Sequence, residues 1–272
     1  MKREYLIQQI KEKQSYLCVG LDTNIEKIPA FLQSHPDAVF EFNKQIIDAT
    51  KDLCVAYKIN TAFYEALGVK GWQALEKTVN YIPATHFKIA DAKRGDIGNT
   101  SYEYAKAFFE TIPFDAITVA PYMGEDSVKP FLEYENKWTI VLALTSNEGS
   151  RDFQQQRIDE GFLFEKVIKK TTEWGTAKNL MFVIGATKSE DISTIRKIIP
   201  DHFLLIPGVG FQGGSLSEVS KYGLNEDCGL LVNVSRAIIY AGNNENFAKE
   251  ARAIALEYQM EMKHLLSKTL HF

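Results

Sequence analysis

The sequence predicts a single (β/α)8 barrel, an α/β fold, with a short helix ahead of the first strand and a long helix at the end. Three observations carry that prediction. Eight apolar, strand-like runs begin near residues 16, 54, 85, 116, 139, 181, 203 and 230, a mean spacing of about 30 residues that matches one βα unit each. Segments of helical periodicity separate them. The length, 272 residues, is close to the roughly 250 typical of such barrels, and no Pro/Ser-rich linker, low-complexity tract or composition shift divides the chain. Residues 1–272 therefore read as one domain, with a doubly wound open sheet as the weaker alternative.

Each element has a local reason. Tyr5, Leu6 and Ile10 fall at helical spacing among polar residues over 2–14, a segment that could plug one end of a barrel. The run 16–21 ends at Asp22-Thr23-Asn24, and a compact apolar run bounded by turn formers reads as a buried parallel strand. A helix over about 37–51 turns Phe40, Ile46 and Ile47 inward, and the second strand, 54–60, follows it. Helix 71–81 leads to strand 85–93. Thr100-Ser101-Tyr102-Glu103 has capping-box spacing and should open a helix to about Thr111. Strand 116–120, helix 125–134 and strand 139–144 come next, and the polar loop 145–150 is long enough to act as a lid. Helix 162–174, strand 181–185, helix 189–199, strands 203–206 and 230–234 and a last helix over 246–266 complete the pattern.

Composition narrows the function. The net charge of -4 offers no general attraction to nucleic acid or anionic membranes. An anionic ligand must be met by a local site. Cys18, Cys54 and Cys228 are odd in number and lack metal-ligand spacing, so they read as reduced packing residues. The start, Met1-Lys2-Arg3-Glu4-Tyr5, leads into an amphipathic segment, and nowhere do 18 apolar residues run together. The expectation is a soluble, cytoplasmic protein. None of His35, His86, His202, His264 and His271 falls at the carboxyl end of a strand, which disfavours Ser-His-Asp chemistry and a histidine-bound metal.

Barrel active sites form at the carboxyl ends of the strands. Asp22, Lys58, Asp91, Lys93 and Ser146 all fall there. Asp91-Ala92-Lys93-Arg94-Gly95-Asp96 is the densest cluster: strand alternation puts Asp91 and Lys93 on one side, and Gly95 lets the chain turn before Asp96. The plain alternative is a solvated ion pair, but buried charges cost several kcal/mol per ion unless paired, and five polar groups on one rim outweigh it. Lys58 alone would read as a solvated lysine; Asn60 points to its side. Asp22 could be only a turn residue and Thr100 only a cap. Gly208-Val209-Gly210-Phe211-Gln212-Gly213 is a literal G-x-G-x-x-G, yet it follows a seventh strand and no clear acidic strand end stands about 20 residues on. Phosphate capture fits better, with glycine N–H groups near the anion, the Gln212 amide, and Arg236 after Ser235 at the eighth strand. The alternative for Arg236 is a surface ion pair.

These residues carry a resemblance. Asp91-Ala92-Lys93-Arg94-Gly95-Asp96-Ile97-Gly98-Asn99-Thr100, with Tyr57-Lys58-Ile59-Asn60, Leu21-Asp22 and Pro207-Gly208-Val209-Gly210, resembles the orotidine 5'-phosphate decarboxylases, in the form of their longer bacterial subgroup. The shorter D-x-K-x-x-D is shared with 3-keto-L-gulonate 6-phosphate decarboxylases, which use Mg²⁺ and carry an acidic residue where Lys58 stands. The resemblance implies metal- and cofactor-independent conversion of orotidine 5'-phosphate to UMP and CO2, the last step of de novo UMP synthesis. It implies a charged array of Lys58, Asp91 and Lys93, completed by Asp96 from the other subunit of a homodimer, with Lys93 protonating C6. Asp22 and Lys58 would bind ribose hydroxyls, with Asn60 beside them and Thr100 reaching in from the partner. Ser146 would meet the pyrimidine, unless Thr145 or Asn147 takes its place. Gln212 and Arg236 would grip the phosphate in a subsite formed with Pro207, Gly208, Gly210, Gly213 and Ser235. A metal-dependent sugar-phosphate decarboxylase, a silent binding barrel and a lyase for another phosphate remain the alternatives.

Overall fold

Strands that are apolar on both faces can hide those faces only in a parallel sheet that is covered outside and filled inside. That is where these runs go. A computed structural model describes residues 1–158, 161–210 and 213–269. In it β1 (Leu17–Gly20), β2 (Ala56–Asn60), β3 (Phe87–Arg94), β4 (Ala116–Val119), β5 (Trp138–Leu144), β6 (Leu180–Ile184), β7 (Phe203–Pro207) and β8 (Leu230–Val234) form a closed barrel in chain order. Every pairing is parallel, and Leu17 opposite Val232 closes the seam. β1, β4, β6 and β8 are buried along their whole length. Their side chains are the core, with Trp138 edge-on to both Phe87 and Phe203. Among the described residues no helix is long and apolar enough to cross a membrane.

Most helices lie within a few residues of their expected bounds, including Arg3–Lys13 at the start and Phe247–Thr269 at the end. One expectation is corrected. The helix after β3 begins at Gly98, with Ile97 at its N-cap and no side-chain cap bond, so Thr100 sits inside the first turn and its capping box with Glu103 does not form. Gly98, at φ +51, turns the chain two residues early. That helix runs on into a π-helical turn, Ala107–Thr111. An antiparallel pair, Arg157–Ile158 with Gly161–Phe162, and the helices Ala62–Glu65, Leu216–Gly223 and Arg236–Ile239 were not foreseen in the sequence.

The N-terminal helix is tied to the barrel by Lys13, whose Nζ donates to the carbonyls of Lys51 (2.9 Å) and Cys54 (2.8 Å) and lies 2.8 Å from His86 Nε2. Burial first, and the Lys13 ammonium second, push His86 down to about 4. Between the ordinary histidine value of about 6.5 and that value the unfolded chain holds a proton that the folded chain does not, so stability is full above the upper limit and falls as the pH drops toward the lower. The whole effect is about 3 kcal/mol. Urea midpoints measured from pH 7.5 to 4.5 should fall more steeply for the wild type than for His86→Gln; parallel slopes would show that His86 does not titrate this way.

Candidate active site

Lys58, in the middle of β2, is only 4% exposed, which an ammonium tolerates only beside carboxylates. Two are supplied. Asp22, just past β1, places Oδ1 3.3 Å from Lys58 Nζ, and Asp91 on β3 places Oδ2 2.8 Å away. The register makes this possible, since Gly20 lies opposite Lys58 and Asn60 opposite Asp91. Gly20 itself must be glycine: an added Cβ would stand 2.6 Å from Ser235 Cβ, at the meeting of β1 with the residue that follows β8.

Lys93 reaches the same carboxylate by a different route. Ala90 pairs with Ile117 and Arg94 with Val119, so Asp91, Ala92 and Lys93 together face Thr118 alone. The extra chain is absorbed in a bulge, the device that re-aims side chains beside active sites. Lys93 takes φ +46, a left-handed conformation uncommon outside glycine. Its Nζ lies 2.5 Å from Asp91 Oδ1, while its side chain stays 49% exposed. The expectation of simple strand alternation is thus corrected: the two residues meet because the strand is interrupted.

Burial works hardest against the Lys58 charge, yet Asp22 and Asp91 outweigh it and hold the ammonium above the usual lysine value. Burial likewise opposes the Asp91 charge, and Lys58 and Lys93 outweigh it, holding the carboxyl far below its usual range. The result is a carboxylate locked between two ammoniums on the wall of a cleft, one almost wholly buried and one half exposed. The cleft holds about 290 Å³, close to the lower end of small-ligand sites at about 300 Å³. Asp22, Lys58, Asp91 and Lys93 line one part of it. Leu142, Val183 and Leu205 contribute an apolar part from within β5, β6 and β7, and Ser146, Pro207, Gly208, Ser235 and Arg236 line it from strand ends and loops. Thr145 and Asn147 line it too, Thr145 Oγ1 donating to Asn147 Oδ1 at 2.5 Å and Gln154 also bonding Thr145.

Among the described residues, Asn60, Asp96, Thr100, Gly210 and Gly213 stand outside this lining. Asn60 Oδ1 accepts the Ala62 N–H at 3.2 Å and starts the next short helix. Asp96 Oδ1 accepts the N–H of its neighbour Ile97 at 2.8 Å. Gly210 and Gly213 do have φ of +77 and +85. Their N–H groups, however, donate to the carbonyls of Gly214 and Gly210, at 3.0 and 2.9 Å, where N–H groups turned to an anion were expected. Gln212 lies outside the described residues.

Two polar residues here were missed in the sequence. Thr118, fully buried on β4, donates to Asp91 Oδ1 at 3.1 Å and accepts the Lys93 N–H at 2.9 Å. Asn233 lines the cleft from β8, and its buried Oδ1 has no partner among the described residues. A polar residue inside an apolar strand was the available signal for both.

The profile of the orotidine 5'-phosphate decarboxylase / HUMPS family matches residues 15–251. The chain belongs to that family. Other members resemble it along its whole length. The Bacteroides fragilis orotidine 5'-phosphate decarboxylase is 59% identical over 274 residues, which cover 99% of this chain and 100% of that one. Its counterpart from Parabacteroides distasonis is 60% identical over 266 residues, 96% of this chain and 95% of the relative. The Leishmania donovani OMP decarboxylase structure superposes with a TM-score of 0.80 at 34% identity, covering 96% of this chain and 99% of that chain. The Leishmania donovani UMP synthase structure gives 0.86 at 37% identity over 96% of this chain, which spans 56% of that longer polypeptide.

Proposed function

We propose that this family member is a carboxy-lyase that converts orotidine 5'-phosphate to UMP and CO2, with Lys93 as the proton donor and without metal or cofactor. The observation that carries the reading is Asp91 held between two ammoniums, with the exposed one, Lys93, facing the cleft. When the bond from C6 to its carboxyl group breaks, CO2 leaves and the electron pair stays on C6 in the ring plane, where the π system cannot take it. The pair then accepts a proton from Lys93, and solvent restores the ammonium. A unit charge pair about 4 Å apart at an effective dielectric of about 20 gains roughly 4 kcal/mol, or about three decades in rate. Enzymes commonly lower barriers by about 8 to 23 kcal/mol. The remainder falls to the preorganised array, to closure that excludes water, and to phosphate binding realised only in the transition state.

Metal independence has positive support. The Lys58 ammonium sits between Asp22 and Asp91, where a divalent cation bridging those two carboxylates would have to sit. Purified protein with orotidine 5'-phosphate and excess EDTA should show the ultraviolet change of decarboxylation, with UMP identified by mass. Activity that appears only with added Mg²⁺, or only on a sugar phosphate, would overturn the reading. Three buried, unpaired thiols, at Cys18, Cys54 and Cys228, suit a reducing cytoplasm.

Arg236, with Ser235 and Gly208 beside it on the cleft, is assigned to the phosphate. Arg236→Ala should lower kcat/KM for orotidine 5'-phosphate by about ten- to a hundredfold and leave turnover of orotidine unchanged. Equal losses on both substrates would remove the assignment.

The same reading places Asp96 and Thr100 in the site of a second copy. On this chain both lie outside the cleft, and the exposed apolar side chains of Ile97 and Tyr102 flank them in the sequence. Met123 stands beside Gly95, whose added Cβ would lie 3.6 Å from its terminal methyl. Mixing the inactive variants Lys93→Ala and Asp96→Ala, then letting subunits exchange, should restore roughly a quarter of wild-type activity, because half the dimers regain one intact site. No recovery would mean that Asp96 serves its own chain.

A further inference from the structure

Lys93 is exposed along half its side chain and lies in a bulge where the sheet ladder is interrupted. A flexible four-carbon stem in such a place would ordinarily wander, since a lysine side chain has many rotamers open to it. Its ammonium must nonetheless stand at one point if it is to meet a carbon in the substrate ring.

The interrupted ladder shows what fixes it. Between Ala90–Ile117 and Arg94–Val119 the two strands lose register, and the Lys93 N–H points to a side chain, the hydroxyl of Thr118, at 2.9 Å. The same hydroxyl donates its proton to Asp91 Oδ1 at 3.1 Å, the oxygen that also meets Lys93 Nζ at 2.5 Å. These three contacts form a closed ring: Lys93 N–H to Thr118 Oγ1, Thr118 O–H to Asp91 Oδ1, and Asp91 Oδ1 to Lys93 Nζ. Both ends of Lys93, main-chain nitrogen and ammonium, are thereby referred to one hydroxyl. Thr118 is fully buried and does not line the cleft, so it acts on substrate only through these partners.

We propose that Thr118 is a positioning residue whose hydroxyl holds the left-handed turn at Lys93 and sets where the Lys93 ammonium stands. The proposal rests on the reading of Lys93 as proton donor. A valine in its place would keep the β-branched shape that suits a strand and lose the hydroxyl. It would leave the Lys93 N–H unpaired in a part-buried position and remove one donor from Asp91. The cheapest relief is relaxation of the strained φ, which would carry the ammonium off its point.

The test is a set of three substitutions at one position. Thr118→Val and Thr118→Ala should each lower kcat by about ten- to a hundredfold, with KM within about threefold, whereas Thr118→Ser should stay within about threefold of wild type in both. If the valine variant does not fold, the serine-to-alanine contrast still isolates the hydroxyl. That contrast should vanish when repeated on Lys93→Ala, because a residue acting through Lys93 has nothing left to position. A serine-to-alanine contrast that persists undiminished without Lys93 would mean a general structural role and overturn the proposal, as would an alanine variant with wild-type kcat. Wild-type turnover in Lys93→Ala would instead sink the underlying reading of the site.

Discussion

Lys93→Ala is expected to lower kcat by three decades or more while leaving the protein folded. The two halves of that expectation have separate causes. On the proposed reading, the rate loss follows from removing the charge beside the forming carbanion. The intact fold follows from geometry: the Lys93 side chain is half exposed, and Asp91 keeps the Lys58 ammonium at 2.8 Å and the Thr118 hydroxyl at 3.1 Å. Surface-accessible ion pairs contribute about 1 kcal/mol or less, so the urea midpoint should shift little. Release of CO2 from carboxyl-labelled substrate gives the sensitivity needed. A kcat within tenfold of wild type would show that some other group protonates C6.

Lys58→Met should fail differently. It removes the buried ammonium and leaves Asp22 and Asp91 facing each other across an apolar side chain. Breaking one partner of a buried pair costs about 3 to 5 kcal/mol, so for a chain of this size Tm should fall by roughly 6 to 20 °C at neutral pH. Acidity should change the comparison in a definite direction. In the wild type the Asp91 carboxyl is depressed by its two lysines, so it contributes stability above its unfolded value of about 3.9 and loses that contribution as the pH falls. Without Lys58, burial and the facing Asp22 carboxylate are offset only by Lys93, so Asp91 takes up a proton at higher pH than in the wild type. The gap in Tm between variant and wild type should therefore narrow from pH 7.5 to 5.5. A gap that widens would mean that Asp91 in the variant remains ionised and paired, against this account.

The barrel was legible because burial on both faces leaves a mark no other arrangement leaves: uninterrupted apolar runs such as Leu180–Ile184, ended by turn formers and spaced by helical segments. The charged strand ends were legible for the converse reason, since Lys58 and Asp91 break runs that are otherwise apolar. What escaped depends on neighbours that sequence order does not reveal. The bulge at Lys93 is a relation between β3 and β4, and the role of Thr118 exists only because that relation fails to be regular. Asn60 went elsewhere because a short amide side chain can satisfy a nearby backbone N–H before it reaches a ligand. Gly210 and Gly213 have the backbone freedom their pattern promised, but a positive φ says nothing of which acceptor the N–H will meet.

The contact of Gly20 with Ser235 lies where the first strand meets the last. Asp22 follows one of those strands and Arg236 the other, so the cleft is complete only when the first and last strands of the ring meet. A ribosome that has delivered seven strands has delivered most of the barrel's mass and no working pocket. No product can therefore form during refolding until the sheet has joined across its seam.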